Sequence, residues 1–251
     1  MSQVAINFNQ VVKKYYRGKR YQPSFREWID AMFTGESFSR PKFKALNKIS
    51  FEIKKGQVVG FVGSNGAGKS TILKLMMKIT YPNVGKVKVN GSVAGLLELG
   101  TGFHPALTGR ENVFLYSSIL GLKRVEVEQL YPKIVKFAGV SKFMDSPIKQ
   151  YSSGMLARLG FAVAVHLNPD VLVIDEVLAV GDMAFQKKCM NFMRDYCSNP
   201  NHTVVFVSHN IENVRLICDQ VIWIEEGKIV QQGDTKKVLK DYAKFQNNRS
   251  D

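Results

Sequence analysis

The chain has 251 residues, 45% of them hydrophobic, and a formal net charge of +14; this length suits one large α/β domain, or a core with a small inserted lobe. No apolar run approaches the ~20 residues of a membrane-spanning helix, the start Met1-Ser2-Gln3-Val4 lacks the basic and apolar regions of a signal peptide, and Cys189, Cys197 and Cys218 have no metal-site spacing and read as reduced, mostly buried cytosolic thiols. The charge implies an acidic partner (nucleic acid, an anionic membrane surface or an acidic protein) or simply a solvated basic face.

Val4 to Phe8 reads as a first strand, followed by Val11 to Tyr16, whose tyrosines either stack on a purine or pack locally. Residues 17–44 form a basic insertion, with positive charge densest from Lys13 to Arg20 and again at Arg40, Lys42 and Lys44. Inside it, Ser24 and Glu27 form a capping box for a helix reaching Phe33, with Phe25, Trp28, Ile29, Met32 and Phe33 on one face. That face docks to a membrane protein or lipid interface, or packs on its own domain.

Ala45 to Ile53 leads into a buried strand, Gln57 to Val62, and then into Gly63-Ser64-Asn65-Gly66-Ala67-Gly68-Lys69-Ser70-Thr71. This stretch fits G-x-x-x-x-G-K-[ST] between a strand and a helix running from Thr71 to Met77, the setting in which successive amides converge on a phosphate chain. All nine of its residues are therefore candidate nucleotide ligands. Lys69 would reach the β/γ-phosphates and the Ser70 hydroxyl would ligate Mg²⁺. After a turn at Tyr81 to Gly85, Lys86 to Gly91 and Ser92 to Leu97 read as two strands of a hairpin joined at Asn90-Gly91.

Gly100 to Asn112 is a glycine-rich loop, and Thr108 with Glu111 caps a helix through about Leu120. A second helix runs from Val125 to Ala138, and no strand is evident between Thr108 and His166, so about 108–167 reads as a helical lobe inserted between core segments 1–107 and 168–251. Ser152, Ser153 and Gly154 precede an apolar helix from Leu156 to Leu167; they are a second phosphate site or an ordinary N-cap. Val171 to Ile174 is a buried strand that would deliver Asp175 to Mg²⁺ and place Glu176 to polarise a water. Another strand, Thr203 to Val207, leads to His209, a candidate contact for the γ-phosphate. A hairpin turns at Glu226-Gly227, and Asp234 caps a last helix from Thr235 to about Phe245.

Taken together, these motifs resemble the ATP-binding subunit of ABC transporters over nearly the whole chain. The resemblance implies a P-loop, RecA-like α/β core with an antiparallel β subdomain and an inserted helical subdomain, ATP and Mg²⁺ as cofactors, and ATP hydrolysis. It assigns Tyr15 to adenine stacking, Ser152 and Gly154 to the signature turn, Asp175 and Glu176 to the Walker B pair, Gly181-Asp182 to the D-loop and His209 to the switch. It also implies an ATP sandwich of two head-to-tail copies, a separate membrane permease as partner, no nucleic acid, and a place at the cytoplasmic face of the membrane. Gly102 to Asn112, Tyr151 to Met155 and Asp175 to Asp182 are similar to the branch exporting polysaccharides and teichoic acids. A chain stopping at Asp251 suits the teichoic-acid type, or a short capsule or O-antigen type. The chain departs from the pattern twice. Glu98 or Leu99 stands where a glutamine is usual, which makes Glu98 a further candidate for the metal. Ser153 and Met155 replace a glycine and a glutamine of the signature.

Overall fold

A computed structural model describes residues 3–16, 42–96, 102–175, 181–208 and 210–250. The expected helix from Ser24 to Phe33 lies outside the described residues, as do Glu98, Leu99, Glu176 and His209.

Strand β3 (Val58–Val62) is apolar throughout, β7 (Thr203–Val207) is apolar after Thr203, and both are buried at every position. Such runs belong in the middle of a parallel sheet covered on both faces, and there they lie. With β5 (Val93–Leu96), β6 (Val171–Asp175), β8 (Gln220–Glu225) and β9 (Lys228–Asp234) they form a six-stranded sheet ordered β5-β6-β7-β3-β8-β9, parallel except for β9. Strands β1 (Val4–Tyr16), β2 (Lys42–Lys54) and β4 (Val84–Val89) make a separate antiparallel sheet ordered β2-β1-β4. β1 is one strand rather than two segments. It is bulged where Gln10 takes φ 50° and donates its N–H to the Ser50 hydroxyl at 2.8 Å.

Strand alternation sorts the core into two layers. Val59, Phe61, Val173, Val205 and Ile222 face the small sheet and α1 (Lys69–Met76). Val58, Leu172, Ile174, Val204 and Phe206 face a helical layer. Its described helices include α4 (Ser153–His166), α5 (Met183–Cys197), α6 (Ile211–Ile217) and α7 (Thr235–Ser250). No motif singled out in the sequence marks α5 or α6. They are capped by Asp182, which accepts from the Phe185 N–H, and by Asn210, which accepts from Glu212 and Asn213.

A third cluster joins α2 (Gly109–Ile119) and α3 (Arg124–Ala138) to α4 through Val113, Val127, Ile134, Leu159 and Val163. Helix α4 serves two cores, because Phe161 and Val165 pack on the sheet layer while Leu159 and Ala162 pack on α2 and α3. A helix apolar on all sides is the sequence's way of joining two cores. The Thr108–Glu111 capping box is present, with the Glu111 carboxylate accepting from the Thr108 N–H at 2.8 Å.

The expected hairpin at Asn90-Gly91 does not form. β4 pairs antiparallel with β1, whereas β5 pairs parallel with β6 in the other sheet, so the two strands part at the turn. Both ends of the crossing are clamped. Asn90 donates its N–H to Ala5 O at 2.8 Å and its Nδ2 to Val4 O at 2.7 Å. The Asp170 carboxylate accepts from the Ser92 N–H at 2.8 Å and hydroxyl at 2.9 Å, and these bonds hold its carboxyl below the usual carboxylate range. Gly91, at φ 95°, lies against Asp170, where a Cβ would approach to 2.5 Å, so both backbone angle and space require glycine.

All three cysteines are free, and burial pushes the Cys189 and Cys197 thiols up from 9.0 to about 12; Cys218 is raised as well. The folded chain thus keeps protons that the unfolded chain releases. The stability linked to them is complete below about pH 9 and is lost as pH climbs toward 12. Thermal midpoints are expected to fall steadily from pH 9 to pH 11. Iodoacetamide labelling of the native chain at pH 8 is expected to be at least tenfold slower than in denaturant. A flat midpoint and equal labelling rates would contradict this burial.

Candidate nucleotide-binding site

Strand β3 ends at Val62 and α1 begins at Lys69, so residues 63–68 make the strand-to-helix turn. Gly68 takes φ 113° with Ala45 O only 2.7 Å from where a Cβ would sit, a position open to glycine alone. The loop folds on itself through Ala67 N–H to Ser64 O at 3.1 Å. Gly66 has open space on its outer side, and Asn65, Gly66 and Ser70 are exposed. The Lys69 side chain is buried and bends back across the loop, donating from Nζ to Gly63 O at 2.7 Å and Ser64 O at 2.9 Å. Its ammonium therefore already stands over the cradle. Phosphate oxygens are stronger partners for it than neutral carbonyls.

Parallel strands bring the next candidate to the same edge. Asp175, half-buried, closes β6 opposite Val207 of β7, and Val207 lies opposite Phe61 of β3. The carboxylate thus stands one strand away from the loop. This carboxylate and the exposed Ser70 hydroxyl are hard oxygen donors, the chemistry that suits Mg²⁺ carried on a phosphate chain. Among the described residues no group of three or more His, Cys, Asp or Glu side chains is placed to cage a metal by itself. Tyr15 lies near the end of β1 opposite Phe43, 37% exposed, with the Lys13 ammonium 5.2 Å from its ring centre.

The serine turn is elsewhere. Ser152 is the N-cap of α4 and accepts from the Met155 N–H at 3.2 Å, so the ordinary capping role is realised. Ser152 and Ser153 are exposed and Gly154 is half-buried. With Met155, Arg158 and Asp182 they line an open groove that contains no residue of the 63–71 loop. Within one chain, then, the two candidate phosphate sites are not assembled into one cavity. Arg158 on α4 pairs with Asp182 at 2.6 Å. The Phe185 N–H bond and then that guanidinium hold the Asp182 carboxyl low.

Sequence reading overlooked the role of Asn112. Fully buried at the start of α2, it donates from Nδ2 to the carbonyls of His104, Leu107 and Thr108 at 3.2, 3.0 and 2.9 Å, and accepts from the His104 N–H at 2.6 Å. This one side chain shapes the loop from 103 to 108. The loop is laced in turn to the segment leading to Ser152, through Arg110 N–H to Met144 O at 2.9 Å, Ile148 N–H to Leu107 O at 2.9 Å and Lys149 N–H to Pro105 O at 3.1 Å. Tyr151 donates to Phe143 O at 2.7 Å, and burial pushes its phenol up to about 12. Asn112→Ala would remove all four of these bonds, take the acceptor from the His104 N–H and leave a void at a fully buried position. It is expected to cost about 3 kcal/mol of stability, read as a shift in denaturant midpoint. A shift below about 1 kcal/mol would show that the loop holds without it.

Comparison with known proteins extends these observations. The profile of the family described as ABC transporter matches residues 46–179. The chain is 44% identical over 238 residues to the O-antigen export system ATP-binding protein RfbB of Klebsiella pneumoniae, covering 94% of this chain and 96% of that protein. It is 41% identical over 240 residues to the teichoic acids export ATP-binding protein TagH of Bacillus anthracis, covering 96% of this chain but 42% of that longer protein. Among solved structures it resembles the dimeric post-hydrolysis ATP-binding cassette MJ0796 bound to ADP and Pi, with TM-score 0.72, 21% identity, and coverage of 92% of this chain and 98% of that one. At that identity the likeness shows the fold.

Proposed function

Since the chain belongs to the ABC transporter family, we propose that it is the ATP-hydrolysing subunit of an exporter that moves a lipid-linked cell-surface polymer, teichoic acid first, through a separate membrane permease. The observation that carries this reading is similarity over nearly all of this chain, above 40% identity, to ATP-binding proteins named for export of such polymers. O-antigen export is the second reading. It is favoured by the 96% of the O-antigen relative that the chain covers, against 42% of the teichoic acid one. The expected acidic partner is then the permease or the anionic membrane beside it rather than nucleic acid. No helix among the described residues is long and apolar enough to cross a membrane.

In this proposal ATP lies along residues 63–71 with Tyr15 against the adenine. Lys69 leaves the Gly63 and Ser64 carbonyls for the β/γ-phosphate oxygens. Mg²⁺ held by the Ser70 hydroxyl and Asp175 supplies charge neutralisation when bound, with Glu98 as a further candidate ligand. Glu176 takes a proton from the attacking water, and His209 contacts the γ-phosphate. Ser152, Ser153 and Gly154 of a second copy close the site. The separation of the serine groove from the loop within one chain supports this reading. Hydrolysis removes the phosphate that both copies share, and they part. The loop from Gly100 to Arg110 and the basic segment from Arg17 to Lys44 are assigned to contact with the permease.

The test is co-purification from membranes with a co-expressed permease, followed by polymer export and ATPase assays. The reading expects a stable complex, permease-stimulated ATPase activity and restored export of one polymer class. Stimulation by DNA or RNA, with no complex formed, would overturn it.

A further inference from the structure

The face of the 63–71 loop turned away from the cradle is held by side chains that arrive from the other end of the chain. Glu225 closes β8 and is 9% exposed. Its carboxylate accepts from the Ser64 N–H at 3.3 Å and, in a closer contact, from the Ser64 hydroxyl. Tyr242 on α7 is buried against Trp223, with ring centres 5.5 Å apart. Its hydroxyl faces the Gly63 backbone N–H and accepts from Gln246 Nε2 at 2.9 Å. At the β8–β9 turn, the Gly227 N–H donates to Ala67 O at 2.9 Å. Ile224 O lies so close to Gly63 that any Cβ there would collide with it.

We propose that Glu225 and Tyr242 are positioning residues of the nucleotide site, anchoring the rear of the phosphate loop so that its forward amides keep converging on one anion. The proposal deepens the nucleotide reading above and rests on it. The physical case has two parts. An amide that donates backward, as at Ser64, is fixed in direction, and that direction fixes the peptide planes that follow. A loop whose N–H dipoles and Lys69 ammonium crowd one concavity is also strained electrostatically before phosphate arrives. A carboxylate bonded behind it offsets that charge without entering the cradle. Neither residue touches the phosphates; both act through the loop.

The test measures dissociation constants for a fluorescent ATP analogue and for ADP, well below the unfolding midpoint, in the wild-type chain and in Glu225→Gln, Tyr242→Phe and Ser64→Ala. Glu225→Gln keeps the shape but turns an amide donor toward donors. It is expected to weaken both nucleotides about tenfold, and the other two variants each about threefold. The loss should be equal for ATP and ADP, because the loop wraps the β-phosphate of both. Circular dichroism and the midpoint confirm that each chain is folded at the assay temperature. Should Glu225→Gln not fold, Tyr242→Phe and Ser64→Ala carry the test. Unchanged or tighter binding in folded variants would overturn the anchoring role while leaving the nucleotide site standing. A wild-type chain that binds neither nucleotide would sink both.

Discussion

Lys69→Ala is expected to abolish ATP binding at any practical concentration, raising the dissociation constant by a factor of 10² to 10³. The ammonium is buried, and two carbonyls hold it across the loop where the phosphates must lie. Its loss removes charge-assisted bonds to the β/γ-phosphates in a site partly shielded from water, where each counts for more than at the surface. The fold should survive, because truncation opens the Gly63 and Ser64 carbonyls to solvent rather than orphaning them. Equilibrium binding and circular dichroism on the same sample check both halves. A folded variant that still binds ATP within tenfold of wild type would remove Lys69 from the site.

Glu176→Gln is expected to bind ATP within a few-fold of wild type while turnover drops by 10² to 10⁴. The carboxamide keeps the size of the side chain but cannot accept a proton from water. Strand β6 carries Asp175 to the edge that bears the phosphate loop, and Glu176 follows it directly. Phosphate release at a saturating concentration of ATP, with permease present, measures the effect. Release at the wild-type rate would assign the base elsewhere.

The α/β core was legible in the sequence wherever its signals were contiguous. The glycines, lysine and serine of the 63–71 stretch stand in one run after a β-branched strand, and the structure puts the glycines in the turn and Lys69 and Ser70 at the start of α1. The runs at 171–174 and 204–207 are apolar because both faces of their sheet are covered, and they lie in β6 and β7. Local signals failed where the outcome depends on distant partners. Asn90-Gly91 carries a real turn preference, but such a preference does not choose the strand's neighbour. That choice was made by Val4 and Ala5 on one side and Asp170 on the other. The pairing of Ser64 with Glu225 was invisible for the same reason, since 161 positions separate them. Asn112 looked like one residue of a helical turn, and only the closed loop shows its three carbonyl partners. Ser152 supports both of its readings, because a hydroxyl that caps α4 is still exposed at the helix start.

The account turns on ATP being gripped by two copies at once, the loop of one and the serine turn of the other. The most direct measurement is the mass in solution of Glu176→Gln with and without Mg-ATP, with Gly154→Asp added to the same chain as a block. The account predicts one-chain mass without nucleotide, two-chain mass with it, and one-chain mass again once Gly154 is replaced. Chains saturated with ATP that remain at one-chain mass throughout would contradict it.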